Sequence, residues 1–233
     1  MSDMPLFLNA FRASGRALLA AGLVLASGLG LAAISSNQGL AQKKQGPTEV
    51  SVEDLMKPGD LADLGIGPAD AKVTVVEYAS LTCPHCQNFA TKIFPEFKTK
   101  YIDSGKVLFI YRGFALNNLD AAAQMLTRCT DASKGFAMIE VLYEKQADWA
   151  FSSGNPVPKL FDIAKQAGFT QEAFDKCLTD QKLLDQITAQ RTRANDTFVI
   201  TSTPTFFING KRYEGASDSI EAFDKALEPL VKK

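Results

Sequence analysis

The sequence predicts an α/β domain interrupted by an inserted block of helices, and three observations carry that expectation. Two apolar, β-branched runs, residues 72–78 (KVTVVEY) and 106–111 (KVLFIY), flank a helix-like run and so make a βαβ unit. Residues 119–195 then show Leu, Phe, Ala and Met at helical spacing, broken by Ser, Gly, Pro and Asn. Residues 205–231 finally return to strand, Asn-Gly turn, strand and helix.

Taken in order, residues 17–34 (ALLAAGLVLASGLGLAAI) carry no charge and follow Arg12 and Arg16, the layout of an export signal. Gly39 and Ala41 supply the small residues that cleavage after Ala41 needs, and residues 42–233 then keep all four cysteines. An uncleaved anchor is the competing reading, because 18 apolar residues reach the lower limit for crossing a bilayer. Either way the folded part lies outside the cytoplasm, where disulfides persist. The chain thus divides into 1–41, a signal peptide or N-terminal membrane anchor; 42–71, a tether and edge segment; 72–116 with 196–233, the α/β domain; and 117–195, the helical insertion.

Residues 72–78 form a buried strand, after which Cys83-Pro84-His85-Cys86 opens a helix. Pro84 suits a first helical turn, where its missing N–H costs nothing. Pro95 is expected to bend or divide that helix, and Gly105 to close it before the second strand. Helices are expected over 119–128, 134–149, 158–168, 171–178 and 181–195. Asn209-Gly210 between residues 205–208 and 211–213 is a hairpin signal. Residues 217–231 complete the chain as an amphipathic helix with Ile220, Phe223, Leu227 and Leu230 on one face and Ser217 near its start.

Composition narrows the chemistry. With 25 Lys+Arg against 26 Asp+Glu, a net charge of -1 and 46% hydrophobic residues, neither an extended disordered chain nor a nucleic-acid partner is indicated. The single histidine, His85, removes most His-rich metal sites and leaves a Ser-His-Asp hydrolase only one candidate. Chemistry therefore centres on the cysteines. At a helix N-terminus the free N–H groups and aligned peptide dipoles stabilise the Cys83 thiolate, with Cys86 one turn further in. A stabilised thiolate is also a better leaving group, which favours handing a disulfide to a substrate. A protonated His85 would hold that thiolate best; its alternative role is a spacer. Cys83 and Cys86 as half of a zinc site is a weaker reading, since Cys129 and Cys177 lie 48 residues apart instead of forming a second close pair. Cys129 and Cys177 suit a structural disulfide across two helices of the insertion, with buried free thiols or a second redox pair as alternatives. No metal and no cofactor is expected.

Together, VVEYASLTCPHC, the helical insertion and STPTFFING resemble the DsbA-like thiol:disulfide oxidoreductases of the thioredoxin superfamily, over roughly residues 72–231. The resemblance implies a thioredoxin-like fold with an inserted all-helical domain, with Cys83 as nucleophile, Cys86 as resolving thiol and Cys83–Cys86 as the redox-active disulfide. It also implies that Thr203 and a cis Pro204 face the pair and bind the extended substrate backbone. Glu77, six residues before Cys83, matches a buried acidic residue that moves protons at the resolving thiol. A carboxylate in an apolar strand costs free energy unless it titrates or is paired, which gives that role a physical basis; the alternative is a merely solvated strand-end residue.

The activity implied is oxidation of reduced, unfolded exported proteins in a bacterial periplasm, with the enzyme restored by a quinone-linked membrane reoxidase of the DsbB type. A monomer is expected, because residues 42–71 are too few for a dimerisation domain, with oligomerisation through a short helix there as the alternative. Thr203 stands where the best-known members carry a more apolar residue, and threonine there also resembles the superfamily's isomerases. A periplasmic isomerase or reductase therefore stays open, as does a redox-inert binding or chaperone module. Phe114, Phe206 and Phe207 lie near the site, as a binding face or, more naturally for the latter two, as core.

Overall fold

The computed structural model describes residues 46–232, so the expected signal or anchor, and any cleavage after Ala41, lie outside the described residues. Five strands make one mixed sheet: β1 (Leu64–Ile66), β2 (Val73–Ala79), β3 (Val107–Gly113), β4 (Thr205–Ile208) and β5 (Lys211–Arg212), in the order β1-β3-β2-β4-β5. The central pair, β2 and β3, is parallel; every other pairing is antiparallel. A short helix α1 (Val52–Met56), capped by Ser51 Oγ, precedes β1. The buried Arg112 joins this edge to the sheet by a two-pronged pair with Asp63 and by hydrogen bonds to Leu55 O and Tyr78 Oη.

The crossover between β2 and β3 is a helical run of α2 (Pro84–Asn88), a π-helical turn (Phe89–Ile93), α3 (Phe94–Phe97) and a second π-helical turn (Lys98–Ile102). Pro95 divides this run without stopping it. It falls in the first turn of α3, just after Phe94 N–H has bonded back to Phe89 O, where the wider π-helical turn accommodates a residue without an N–H.

The insertion comprises α4 (Asn118–Cys129), α5 (Gly135–Glu144), α6 (Gln146–Trp149), α7 (Val157–Gln166), α8 (Gln171–Leu178) and α9 (Gln181–Phe198). Asn117, Thr170 and Asp180 cap α4, α8 and α9 through their side chains. The helix expected over 134–149 is interrupted at Lys145, which turns Gln146 inward. Helix α9 runs past Asn195 because Phe198 is needed in the core beside Tyr78 and Phe207. Cys129 and Cys177 are joined by a disulfide between α4 and α8, with Cα atoms 5.9 Å apart.

Asn209 and Gly210 both take positive φ (48° and 83°), the twist a tight hairpin requires. Asn209 Oδ1 also accepts the Thr74 N–H at 2.7 Å, tying this turn to the start of β2. The last helix, α10 (Ile220–Val231), starts later than Ser217. Its N-cap is Ser219, whose hydroxyl donates to the Glu221 carboxylate instead of capping the backbone.

Alternation along β2 divides the interior. Val73, Val75 and Ala79 face a cluster that includes Phe89, Phe97, Phe109, Phe206 and Phe223 and continues into the insertion, while Val76 and Tyr78 face Leu55, Phe198, Ile200 and Phe207. Phe114, Phe206 and Phe207 are all buried, so they supply core and no binding face. At the end of β3, a Cβ on Gly113 would lie 1.4 Å from Gln124 Oε1. Gly113→Ala is expected to push Gln124 out of its buried bond to Asp120 and to cost about 1–3 kcal/mol, read as a lower urea midpoint.

Candidate active site

Cys83 ends the loop after β2 and is the N-cap of α2, with extended backbone (φ -88°, ψ 122°) and Pro84 in the first turn. Cys86 lies one turn into the helix and is fully buried, and Cys83 is nearly so. Both are thiols here, and Cys83 Sγ–H donates to the Thr203 carbonyl at 3.3 Å. The Thr203–Pro204 peptide bond is cis, and Thr203 lies against the sulfur at the entry to β4.

The two sulfurs differ sharply in acidity. A hydrogen bond from the Cys86 thiol is the largest influence on Cys83, joined by the Thr203 side chain and by the main-chain N–H groups of Cys86 and His85. Against partial burial they bring its pKa down to about 5. Burial pushes the Cys86 thiol well up, reinforced by the bond it gives to Cys83 and by the charges of Glu77 and Cys83. Burial likewise holds the Glu77 carboxyl well above the usual carboxylate range, with the Cys83 charge adding to it. Glu77 sits mid-strand in β2 between Tyr111 and Phe206, and its Oε1 has no hydrogen-bond partner. A site of this kind holds one thiolate beside two protons.

The candidate residues separate clearly by place. Cys83, Cys86, Glu77, Thr203 and Pro204 come together, whereas Cys129 and Cys177 lie in the insertion. His85 is exposed, and what it gives the Cys83 thiolate is its main-chain N–H. Among the described residues no group of His, Cys, Asp and Glu is arranged to hold a metal ion.

Three buried side chains of the insertion hold the loop before Cys83. Asp120 accepts the Leu81 N–H at 3.0 Å and the Leu116 N–H at 2.9 Å. Gln146 Nε2 donates to Leu81 O at 2.8 Å and Cys83 O at 3.1 Å, and Tyr143 Oη donates to Ser80 O at 3.1 Å. Sequence reasoning missed all three. In the sequence Asp120 is an acid in the first turn of α4, a common stabilising position at a helix start, and nothing local marks Gln146 as inward-facing.

A family model described as thioredoxin matches residues 60–229. The "Putative protein-disulfide oxidoreductase" of Rickettsia bellii is 37% identical over 176 residues, covering 75% of this chain and 68% of the relative. Disulfide bond formation protein D of Bacillus subtilis is 28% identical over 172 residues, covering 72% of this chain and 75% of its own. Among solved structures, alpha-DsbA1 of Wolbachia pipientis superposes with a TM-score of 0.71 at 30% identity, covering 78% of this chain and 96% of that one.

Two titrations follow from the geometry. The thiolate absorbance of reduced protein is expected to fall with a midpoint near pH 5 as Cys83 protonates, and to show no second loss between pH 6 and 8. For Glu77 the folded pKa is raised, so its contribution to stability is present below the unfolded value and lost as pH rises through the folded one. Glu77→Gln should therefore stabilise the reduced protein at pH 8 and leave it unchanged at pH 4, as urea midpoints at the two pH values will show.

Proposed function

The chain belongs to the DsbA-like thiol:disulfide oxidoreductases of the thioredoxin superfamily, and from that premise we propose that it oxidises reduced, unfolded proteins in a bacterial periplasm through Cys83 and Cys86. The observation that carries this reading is the acidity difference between the two sulfurs, a Cys83 thiol near 5 beside a Cys86 thiol pushed far up. Reduction of the Cys83–Cys86 disulfide yields a stabilised thiolate, which favours passing the bond on to a client.

In the proposed cycle a client thiolate attacks Cys83 Sγ of the disulfide. The S–S bond breaks, a mixed disulfide forms, and Cys86 leaves with the electron pair. Glu77, holding a proton in the same buried pocket, is the acid suited to neutralise Cys86. A second client thiolate then attacks the client sulfur of the mixed disulfide and releases Cys83 as thiolate. Two electrons have passed from the client to the enzyme, and the client holds a new disulfide. Cys83 is a good leaving group here because Cys86, Thr203 and two main-chain N–H groups receive its charge.

Thr203 and Pro204 are assigned to the client backbone, as an extended segment laid beside the entry to β4. Cys129–Cys177 is assigned a supporting role, since it bridges α4, which carries Asp120, to α8. Reoxidation requires a two-electron acceptor, for which a quinone-linked membrane partner of the DsbB type is proposed. The domain assignment that goes with this reading is a thioredoxin-like part (72–116 and 196–233) with an inserted helical part (117–195).

Equilibration of Cys83–Cys86 with glutathione, in protein whose Cys129 and Cys177 are both replaced by alanine, tests the direction of transfer. A potential far more oxidising than thioredoxin's value of about -270 mV is expected. A value near thioredoxin's would reject the oxidase in favour of a reductase. Cys83→Ala should abolish exchange altogether; exchange that persists would assign the chemistry elsewhere.

A further inference from the structure

The loop that carries Thr203 leaves α9 through a strained residue, and one cation from β5 grips that exit. Val199 closes α9 at φ 50° and ψ 51°, a left-handed conformation that β-branched residues rarely adopt. Ile200 then turns its N–H back to Ala194 O at 3.1 Å and buries its side chain completely. The guanidinium of Arg212 holds this corner. Its Nη2 donates to Phe198 O at 2.5 Å and lies 3.5 Å from Val199 O, and its Nε donates to Pro47 O at 3.0 Å. The same group lies 4.8 Å over the Phe207 ring, and the main-chain N–H of Arg212 bonds to Thr48 O at 2.8 Å. Residue 46 is a glycine whose Cβ would fall 2.5 Å from Nη2, so the chain passes close by the guanidinium.

This arrangement uses what only arginine offers. Its planar fork reaches the last carbonyls of α9 through Nη2 and Pro47 through Nε, and its charge complements the negative end of an 18-residue helix. Downstream the loop is held more lightly: Thr205 Oγ1 donates to Ser202 O, and the Cys83 thiol reaches Thr203 O. The position of residues 201–203 therefore depends on how Val199 leaves the helix.

We propose that Arg212 is a positioning residue for client binding: by fixing the left-handed exit of α9 it sets where the Thr203 segment lies to receive an extended peptide. The proposal rests on the assignment of Thr203 and Pro204 to the client backbone.

Arg212→Met and Arg212→Lys separate this role from a general structural one. For a dithiol peptide, KM should rise about tenfold in Arg212→Met, the scale of one charge-assisted hydrogen bond lost, and less in Arg212→Lys. The kcat should change far less than KM, and the rate with reduced glutathione, which needs no extended backbone beside Thr203, should fall far less than the rate with peptide. Equal slowing with peptide and glutathione, or an unchanged KM in folded variant, overturns the proposal. Val199→Gly provides a second route that does not remove the cation. It relieves the left-handed strain and frees the exit, so KM should rise with no loss of thermal stability; an unchanged KM again counts against the proposal. Hydrogen exchange at the Thr203 N–H with a saturating cysteine-free peptide tests the underlying assignment. Protection there with unchanged KM in the variants removes the role of Arg212 alone, while no protection in the native protein removes the client site and the proposal with it.

Discussion

One charge has to be held at the mouth of α2 while two protons are kept a few atoms away. The hydrogen bond from the Cys86 thiol to the Cys83 thiolate is the largest single influence on that balance. It exists only if the two sulfurs are one helical turn apart, with Cys83 in an extended N-cap and Cys86 inside the core. The β2–α2 junction is therefore the point on which the surrounding structure converges. Burial alone would raise both thiols together. Separation of the two comes from direction, since the Cys86 thiol and the main-chain N–H groups of Cys86 and His85 all favour the Cys83 thiolate.

That geometry is supported from outside the sheet. Asp120, Tyr143 and Gln146 belong to the insertion, yet their polar atoms end on the main chain of residues 80–83. A fully buried carboxylate is costly unless hydrogen bonds satisfy it. Asp120 meets that cost by accepting from Leu81, Leu116 and Gln124, which fixes the loop to α4 as a by-product. The insertion thus acts on the junction through three anchoring side chains as well as through shared apolar core.

The strands and most helices were legible because their signals are local. Alternation in KVTVVEY, Asn209-Gly210 between short strands and helical spacing from Leu119 onward each need only a few neighbouring residues. Cys83 and Cys86 were legible for the same reason: CPHC sits between a strand and a helix. Residues that act across long sequence distances left weaker traces. Thr203 came into view only through resemblance, being 120 residues from the sulfur it touches. Gln146 and Arg212 left none, because a polar residue on a helix or strand looks the same whether it meets water or a distant carbonyl. The break at Lys145 is a failure of another kind, where the distant hydrogen bonds of Gln146 overrode a continuous local pattern.

Thr203 ties these levels together. In the sequence a threonine there left oxidase and isomerase both open. At the site its influence on Cys83 is toward the thiolate, alongside Cys86 and the helix N–H groups. An apolar side chain at that position would leave the thiolate with fewer donors, and the balance between Cys83 and Cys86 would narrow. Since a leaving thiol departs more readily when its charge is better received, the hydroxyl works in the same direction as the start of α2. Threonine beside the cysteine pair is thus compatible with net oxidation on physical grounds, and the direction of transfer follows from the sum of donors around Cys83 more than from any one residue of the motif.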